Sequence, residues 1–431
     1  MLSSIGRAAR VLPFALLVAS TPLTAQDTAL VAALRSHAMP LTVDGGRLGG
    51  PGADLLKAEA ARSQFVLVGE DHGMREPPAL TAALFRAIQP VGYSHLAVEV
   101  GPFTGRALEA ALRRPGGEAA FGRSVKASPW AVPFYNWKEE TDMAADVVAA
   151  TPRRAGTIWG LDQEFIGSPA VHLRRLAEIA PDGMARSLAL EYAAEAGRAD
   201  ARVIAEKNPT LFFMTSWPPD MLPRLRAAFH AAPASEAAML LGELETSAHI
   251  YAGQFNGHGY ESNDERAGLM KRHFMERYRA AQAAGEARPR VLVKLGAYDA
   301  IRGRSYTGVF DDGNLLSELA AQNGSRSFHV FVLTHRGTRN AYLPFVADDR
   351  EKAHAPNPAE DLDFMDVKPF VAAADSGGWM LIDLRPLRGA AQSGRFAGLN
   401  PGLRTLLFGY DAVIVVPEAH ASTLWIDVPN P

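Results

Sequence analysis

VLVGEDHGMRE, at 66–76, is the stretch on which the reading of this chain turns. An apolar run reaches Gly69, and Glu70, Asp71 and His72 then stand in a row before Gly73 and the pair Arg75–Glu76. The run lacks alternation, as expected of a strand covered on both faces. Three polar residues at a buried strand end are costly unless something compensates or uses them. Downstream, PPALTAALFRAIQPVG begins on prolines suited to a helix start, and its apolar spacing suits one buried stripe. HLAVEV at 95–100 follows as a second strand. Strand, helix and strand at this spacing make a βαβ unit with a right-handed crossover.

Five further apolar, often β-branched runs read as strands: 156–162, 290–296, 328–334, 379–385 and 411–417. The expected fold class is α/β, with a mostly parallel central sheet flanked by helices. Residues 168–288 are rich in Ala, Leu, Arg and Glu with helical periodicity, and predict a large helical insertion. The core is then split into 26–167 and 289–431. Residues 336–375 are rich in Asp and Pro and read as a long surface loop.

Composition is ordinary for a globular chain: 48% hydrophobic and 21% charged, with enough apolar material for a sizeable core. A net charge of -3 and no clustered basic run argue against a nucleic-acid partner. The first 25 residues read as a secretory signal. Arg7 and Arg10 precede VLPFALLVAS, and TPLTA is a small-residue cleavage pattern. The apolar part is shorter than the roughly 20 residues a membrane span needs. With no cysteine, disulfides, thiolate metal sites and a thiol nucleophile are excluded. The expectation is an exported protein, periplasmic or secreted, without a membrane span and with a small-molecule substrate. The sequence says nothing of its oligomeric state.

In a parallel α/β sheet, ligands bind outside the carboxyl ends of the strands. The first strand ends on Glu70 and His72, the second carries Glu99, and the third ends on Asp162 with Glu164 just after. The fourth runs through Gly296 to Asp299, the fifth ends on His335 and the sixth carries Asp383. Clustered carboxylates cannot all ionise without a counter-charge. Arg75, Lys294, Arg302, Arg304, His72 or a metal ion are the available ones. His335 and His258 read as loop histidines.

GEDHGMRE followed by AVEVG resembles the erythromycin esterase-like superfamily, whose wider relatives include ChaN-like and TIKI/TraB proteins. The matching positions are Gly69, Glu70, His72, Gly73, Arg75, Glu76 and Glu99, and more loosely Arg266 and Met270 in ERAGLMKRHFMERY. The resemblance implies a hydrolase acting on an ester, lactone or amide. Its water would be activated by His72, with Glu70 or Glu99 orienting the ring and Arg75 offsetting charge. Glu76, Asp162, Glu164, Arg266 and Asp299 would line the substrate pocket. The chain departs from the esterases in two places. One residue, Asp71, separates Glu70 from His72 where the esterases usually have two, and Asp299 stands where they carry a histidine. Two alternatives stay open. One is a metal-dependent hydrolase or peptidase of the TIKI/TraB type, with zinc or manganese on Glu70, His72 and Glu99. The other is a ChaN-type haem or iron binder using histidines and Tyr298.

Overall fold

The computed structural model describes residues 25–340, 353–354, 367–374, 377–396 and 399–429. The signal segment up to residue 24, and most of the 336–375 stretch, lie outside the described residues. The centre of the molecule is an eight-stranded sheet. Its strands are β1 (Ala38–Pro40), β2 (Phe65–Glu70), β3 (Tyr93–Val98) and β4 (Ile158–Gly160), then β5 (Arg290–Gly296), β6 (Ser327–Thr334), β7 (Met380–Asp383) and β8 (Ala412–Val416). Their spatial order is β1-β7-β8-β6-β2-β5-β3-β4. The run from β8 to β4 is parallel throughout.

The expected α/β class and mostly parallel sheet are what the chain adopts. β7 differs from the simple expectation. It runs antiparallel to β8, so that Asp383 pairs in register with Ala412 at the start of that strand. Asp383 therefore sits at the edge opposite the other strand-end acids. β1, a three-residue strand ending in proline, adds antiparallel to β7 and was too short to leave a pattern in the sequence.

β2 is buried along its whole length, which explains its continuous apolar run. Phe65 and Leu67 pack with Val291, Val293 and Leu295 on one face; Val66 and Val68 pack with Leu292 on the other. Since side chains alternate along a strand, Glu70 and Lys294 fall on that second face. Helices α1 (Glu76–Ile88), α2 (Pro102–Leu112) and α3 (Lys138–Ala150) cover it. Leu80, Leu84, Leu108 and Val147 are buried there.

The 168–288 region is mostly helical. It includes α4 (Pro169–Glu178), α5 (Gly183–Glu206), α6 (Glu236–Phe255) and α7 (Gly259–Ala283). Leu173, Tyr192, Phe212, Leu225 and Leu244 form a core separate from the two sheet faces. α7 belongs to the sheet rather than to that core: Phe274 and Tyr278 meet Phe65 edge-on. This anchors the second half of α7 beside the amino end of β2, while Arg266, in its first half, stands at the carboxyl ends of the strands. α8 (Asp312–Gln322) follows β5.

Candidate active site

Four strand ends meet at one place. His72 hydrogen-bonds through Nδ1 to Glu70 Oε1 at 2.6 Å, and its Nε2 lies 3.7 Å from Glu99 Oε2. Glu70 Oε1 also accepts from Lys294 Nζ at 2.8 Å, and Lys294 reaches Glu140 Oε1 of α3 at 2.7 Å. On the other side, Glu99 Oε2 accepts from the Gly296 backbone N–H at 2.6 Å. Its Oε1 accepts from Arg266 Nη2 at 2.9 Å. Arg266, projecting from α7, grips Asp162 with two bonds of 2.9 Å and reaches Asp299 at 3.1 and 3.3 Å.

Gly296 is where these groups converge. A Cβ there would lie 3.3 Å from His72 Nε2, 3.4 Å from Glu99 Oε2 and 3.7 Å from Asp299 Oδ2. Gly296 is partly open to solvent, and 27% of the His72 side chain is exposed. Behind His72 is a water-sized cavity of about 10 Å³, lined by Val98, Glu99, Phe134, Tyr135, Glu140 and Lys294. Phe134 stacks on the imidazole with centroids 4.1 Å apart and planes 28° apart. It does so with φ at +62°, a conformation costly for an aromatic residue.

Electrostatics follow from these contacts. Burial alone would raise the Glu70 carboxyl, but Lys294 and His72 outweigh it and hold Glu70 below its ordinary range. Burial works against the imidazolium of His72, yet Glu70 and Glu99 overcome it and hold its proton up to a pKa of about 9. Burial raises Glu140, opposed by Lys294 and reinforced by Glu70. Asp299 is pushed well above the carboxylate range by burial; Arg266 opposes this, and Glu99, Asp311 and Asp162 add to it.

The structure thus brings together Glu70, His72, Glu99, Asp162, Arg266 and Asp299, and leaves three expected residues outside. Arg75 is half exposed; its Nε donates to the Ala421 carbonyl at 2.8 Å and lies 3.4 Å from Glu139. It does not offset the cluster, which Lys294 and Arg266 do instead. Glu76 accepts from His420 N and Nδ1, at 3.1 and 2.8 Å. Glu164 is buried at the start of α2, accepting from Phe103 N at 2.7 Å, Thr104 Oγ1 at 2.6 Å and His172 Nε2 at 2.8 Å. Arg302 is spent on Asp411, Arg304 on the Gly308 carbonyl, and His335 and His258 are exposed.

Glu140 and Phe134 were not foreseen. A signal for Glu140 exists: it lies on the stripe of α3 that carries Met143, Ala144 and Val147, all buried. A carboxylate on an apolar stripe requires a buried partner.

Among the described residues, no three His, Asp or Glu side chains are arranged to hold a metal ion. The cation between Glu99, Asp162 and Asp299 is the guanidinium of Arg266. Among the described residues, no helix is long and apolar enough to cross a membrane.

No family model and no curated protein matches this sequence. Solved structures do. A protein from Bacillus cereus is 14% identical, with a TM-score of 0.56 over 94% of this chain and 100% of that one. A succinoglycan biosynthesis protein is 16% identical, with a TM-score of 0.56 over 94% and 100%. A mutant of erythromycin esterase EreC in its open conformation is 13% identical, with a TM-score of 0.53 over 87% of this chain and 95% of that one. The chain therefore has the fold of erythromycin esterase.

Proposed function

We propose that this chain is an exported hydrolase that cleaves an ester, lactone or amide with water activated by His72. The observation that carries this is the convergence of His72 Nε2, Glu99 Oε2 and Asp299 Oδ2 around Gly296, beside the part-exposed His72 ring. A water held among these three groups, at van der Waals distance from the Gly296 Cα, would have a base on one side and carboxyl oxygens on the others. Glu70 fixes the ring through Nδ1 and keeps Nε2 facing the water, and the Phe134 stack holds the ring plane. Lys294 and Glu140 hold Glu70 in turn. The likeness in fold to erythromycin esterase supports hydrolysis as the reaction class, and the export signal rests on the 1–25 segment.

The test is a panel of esters, lactones and amides given to the purified chain and to His72→Ala. The variant is expected to lose about 10²- to 10⁴-fold in kcat/KM on any substrate turned over. An unchanged rate would remove His72 from its role. EDTA treatment belongs in the same panel. Full activity after it agrees with Arg266 as the site's cation, while a loss restored by zinc or manganese would favour the metal-dependent reading. For export, the amino terminus of the protein recovered from the periplasm or medium is expected at residue 26; an intact terminus overturns it.

A further inference from the structure

Arg266 serves its three carboxylates unequally. Asp162 has both oxygens at 2.9 Å, and Glu99 has 2.9 Å plus the Gly296 N–H at 2.6 Å. Asp299 has the two longest contacts, 3.1 and 3.3 Å. One guanidinium cannot neutralise three carboxylates, so a proton is held most cheaply by the least satisfied one. Asp299 Oδ2 also borders the space over Gly296, 3.7 Å from where a Cβ would stand, with Glu99 Oε2 at 3.4 Å and His72 Nε2 at 3.3 Å.

We propose that Asp299 is the general acid of this site, delivering a proton through Oδ2 to the leaving oxygen or nitrogen of the substrate. The assignment rests on the hydrolase reading above. The surroundings of Asp299 keep the proton there. Besides Arg266, the groups facing it are Glu99 and Asp162 from the neighbouring strand ends, and Asp311 and Tyr410. Asp312, next to Asp311, is fully buried, and its carboxyl is pushed up to about 7, by burial and then by Asp311. Lys271 opposes the shifts of Asp311 and Asp312. The backbone fixes the residue: Asp299 N donates to the Gly296 carbonyl at 3.1 Å, and Gly313 N donates to the Asp299 carbonyl at 2.8 Å.

The seated water attacks the acyl carbon of an ester while giving one proton to His72 Nε2. The tetrahedral adduct collapses, the bond from carbon to the leaving oxygen breaks, and that oxygen takes the Asp299 proton. The products are acid and alcohol, with His72 as imidazolium and Asp299 as carboxylate. The next water entering the seat carries the proton from His72 back to Asp299. His72 and Asp299 thus share one proton in the reactive form, neutral His72 with protonated Asp299, which is a minor form at neutral pH because Glu70 and Glu99 hold the His72 proton up to about 9.

The experiment compares a 4-nitrophenyl ester, whose leaving group needs no proton, with the ethyl ester of the same acid. Asp299→Asn is expected to lose about 10²- to 10⁴-fold in kcat/KM on the ethyl ester and under about 10-fold on the nitrophenyl ester. The wild-type rate on the ethyl ester is expected to fall at alkaline pH, where the pair loses its shared proton, while that of the Asn variant rises as His72 sheds its proton through pH about 9 and then levels off. Equal losses on both esters overturn the proposal. If Asp299→Asn does not fold, a series of phenyl esters on the wild-type chain decides: a shallow dependence of rate on leaving-group pKa supports the donor, and a steep one refutes it. A wild-type chain inert to every ester, or His72→Ala with unchanged rates, brings down the hydrolase reading itself; ester cleavage dependent on His72 with equal Asn losses brings down only Asp299.

Discussion

Lys294, rising from the middle of the sheet, donates to Glu140 of the covering helix α3 at 2.7 Å. With Glu70 as its second partner, one buried ammonium compensates two buried carboxylates and ties β5, β2 and α3 together. Removing one member of such a group leaves uncompensated charge in a dry interior. Lys294→Met is expected to cost about 3–5 kcal/mol in urea unfolding. Adding Glu70→Gln and Glu140→Gln to it should recover most of that loss. A single variant as stable as the parent would show that the two carboxylates carry protons without Lys294.

His72 links stability to pH through the same contacts. Its folded pKa, about 9, lies above the ordinary 6.5, so the folded state holds the proton more tightly than the unfolded chain does. The stabilisation is complete below pH about 6.5 and is lost as pH rises through about 9. Urea midpoints taken from pH 6 to 10 should therefore fall more steeply in the wild-type chain than in His72→Gln. Parallel curves would mean that Glu70 and Glu99 do not hold the proton.

Phe134 offers a separation of packing from backbone strain. Phe134→Ala loses the stack on His72 and keeps a non-glycine residue at φ +62°, whereas Phe134→Gly loses the stack and relieves the backbone. The Gly variant is expected to be about 1 kcal/mol more stable than the Ala variant by urea unfolding. Both should lose similar activity, because the ring is gone in each. A Gly variant with wild-type kcat would show that the stack does not position His72.

The sheet was legible because strands covered on both faces carry nearly continuous apolar runs, and all seven such runs proved to be strands. The direction of β7 was not, since an isolated strand carries no mark of which way it runs. Glu70, His72, Glu99, Asp162 and Asp299 could be picked out as polar residues where parallel strands end, and they do converge. Arg75, Glu76 and Glu164 stand equally near strand ends, but position in sequence does not say to which side of a turn a side chain points. Each of these three is consumed by a neighbouring segment: Arg75 and Glu76 by 420–421, Glu164 by the start of α2. Phe134 and Glu140 come from the stretch between β3 and β4, whose placement over β2 is decided by tertiary packing alone.

Gly296 gives the most direct trial of the site. Its φ is not among the positive ones, so alanine meets no backbone penalty there. The added methyl would stand 3.3–3.7 Å from His72, Glu99 and Asp299, a contact tight enough to displace a water and loose enough to spare the fold. Gly296→Ala is therefore expected to unfold within about 1 kcal/mol of the parent, as compatible Gly-to-Ala changes do. Its kcat/KM on any cleaved ester should drop by about 10²-fold, in line with displacing the nucleophile from a near-attack position. Wild-type activity in a folded Gly296→Ala would move the reacting water elsewhere. A second outcome, activity lost together with several kcal/mol of stability, would show that the three side chains are packed against Gly296 too closely to leave a seat at all.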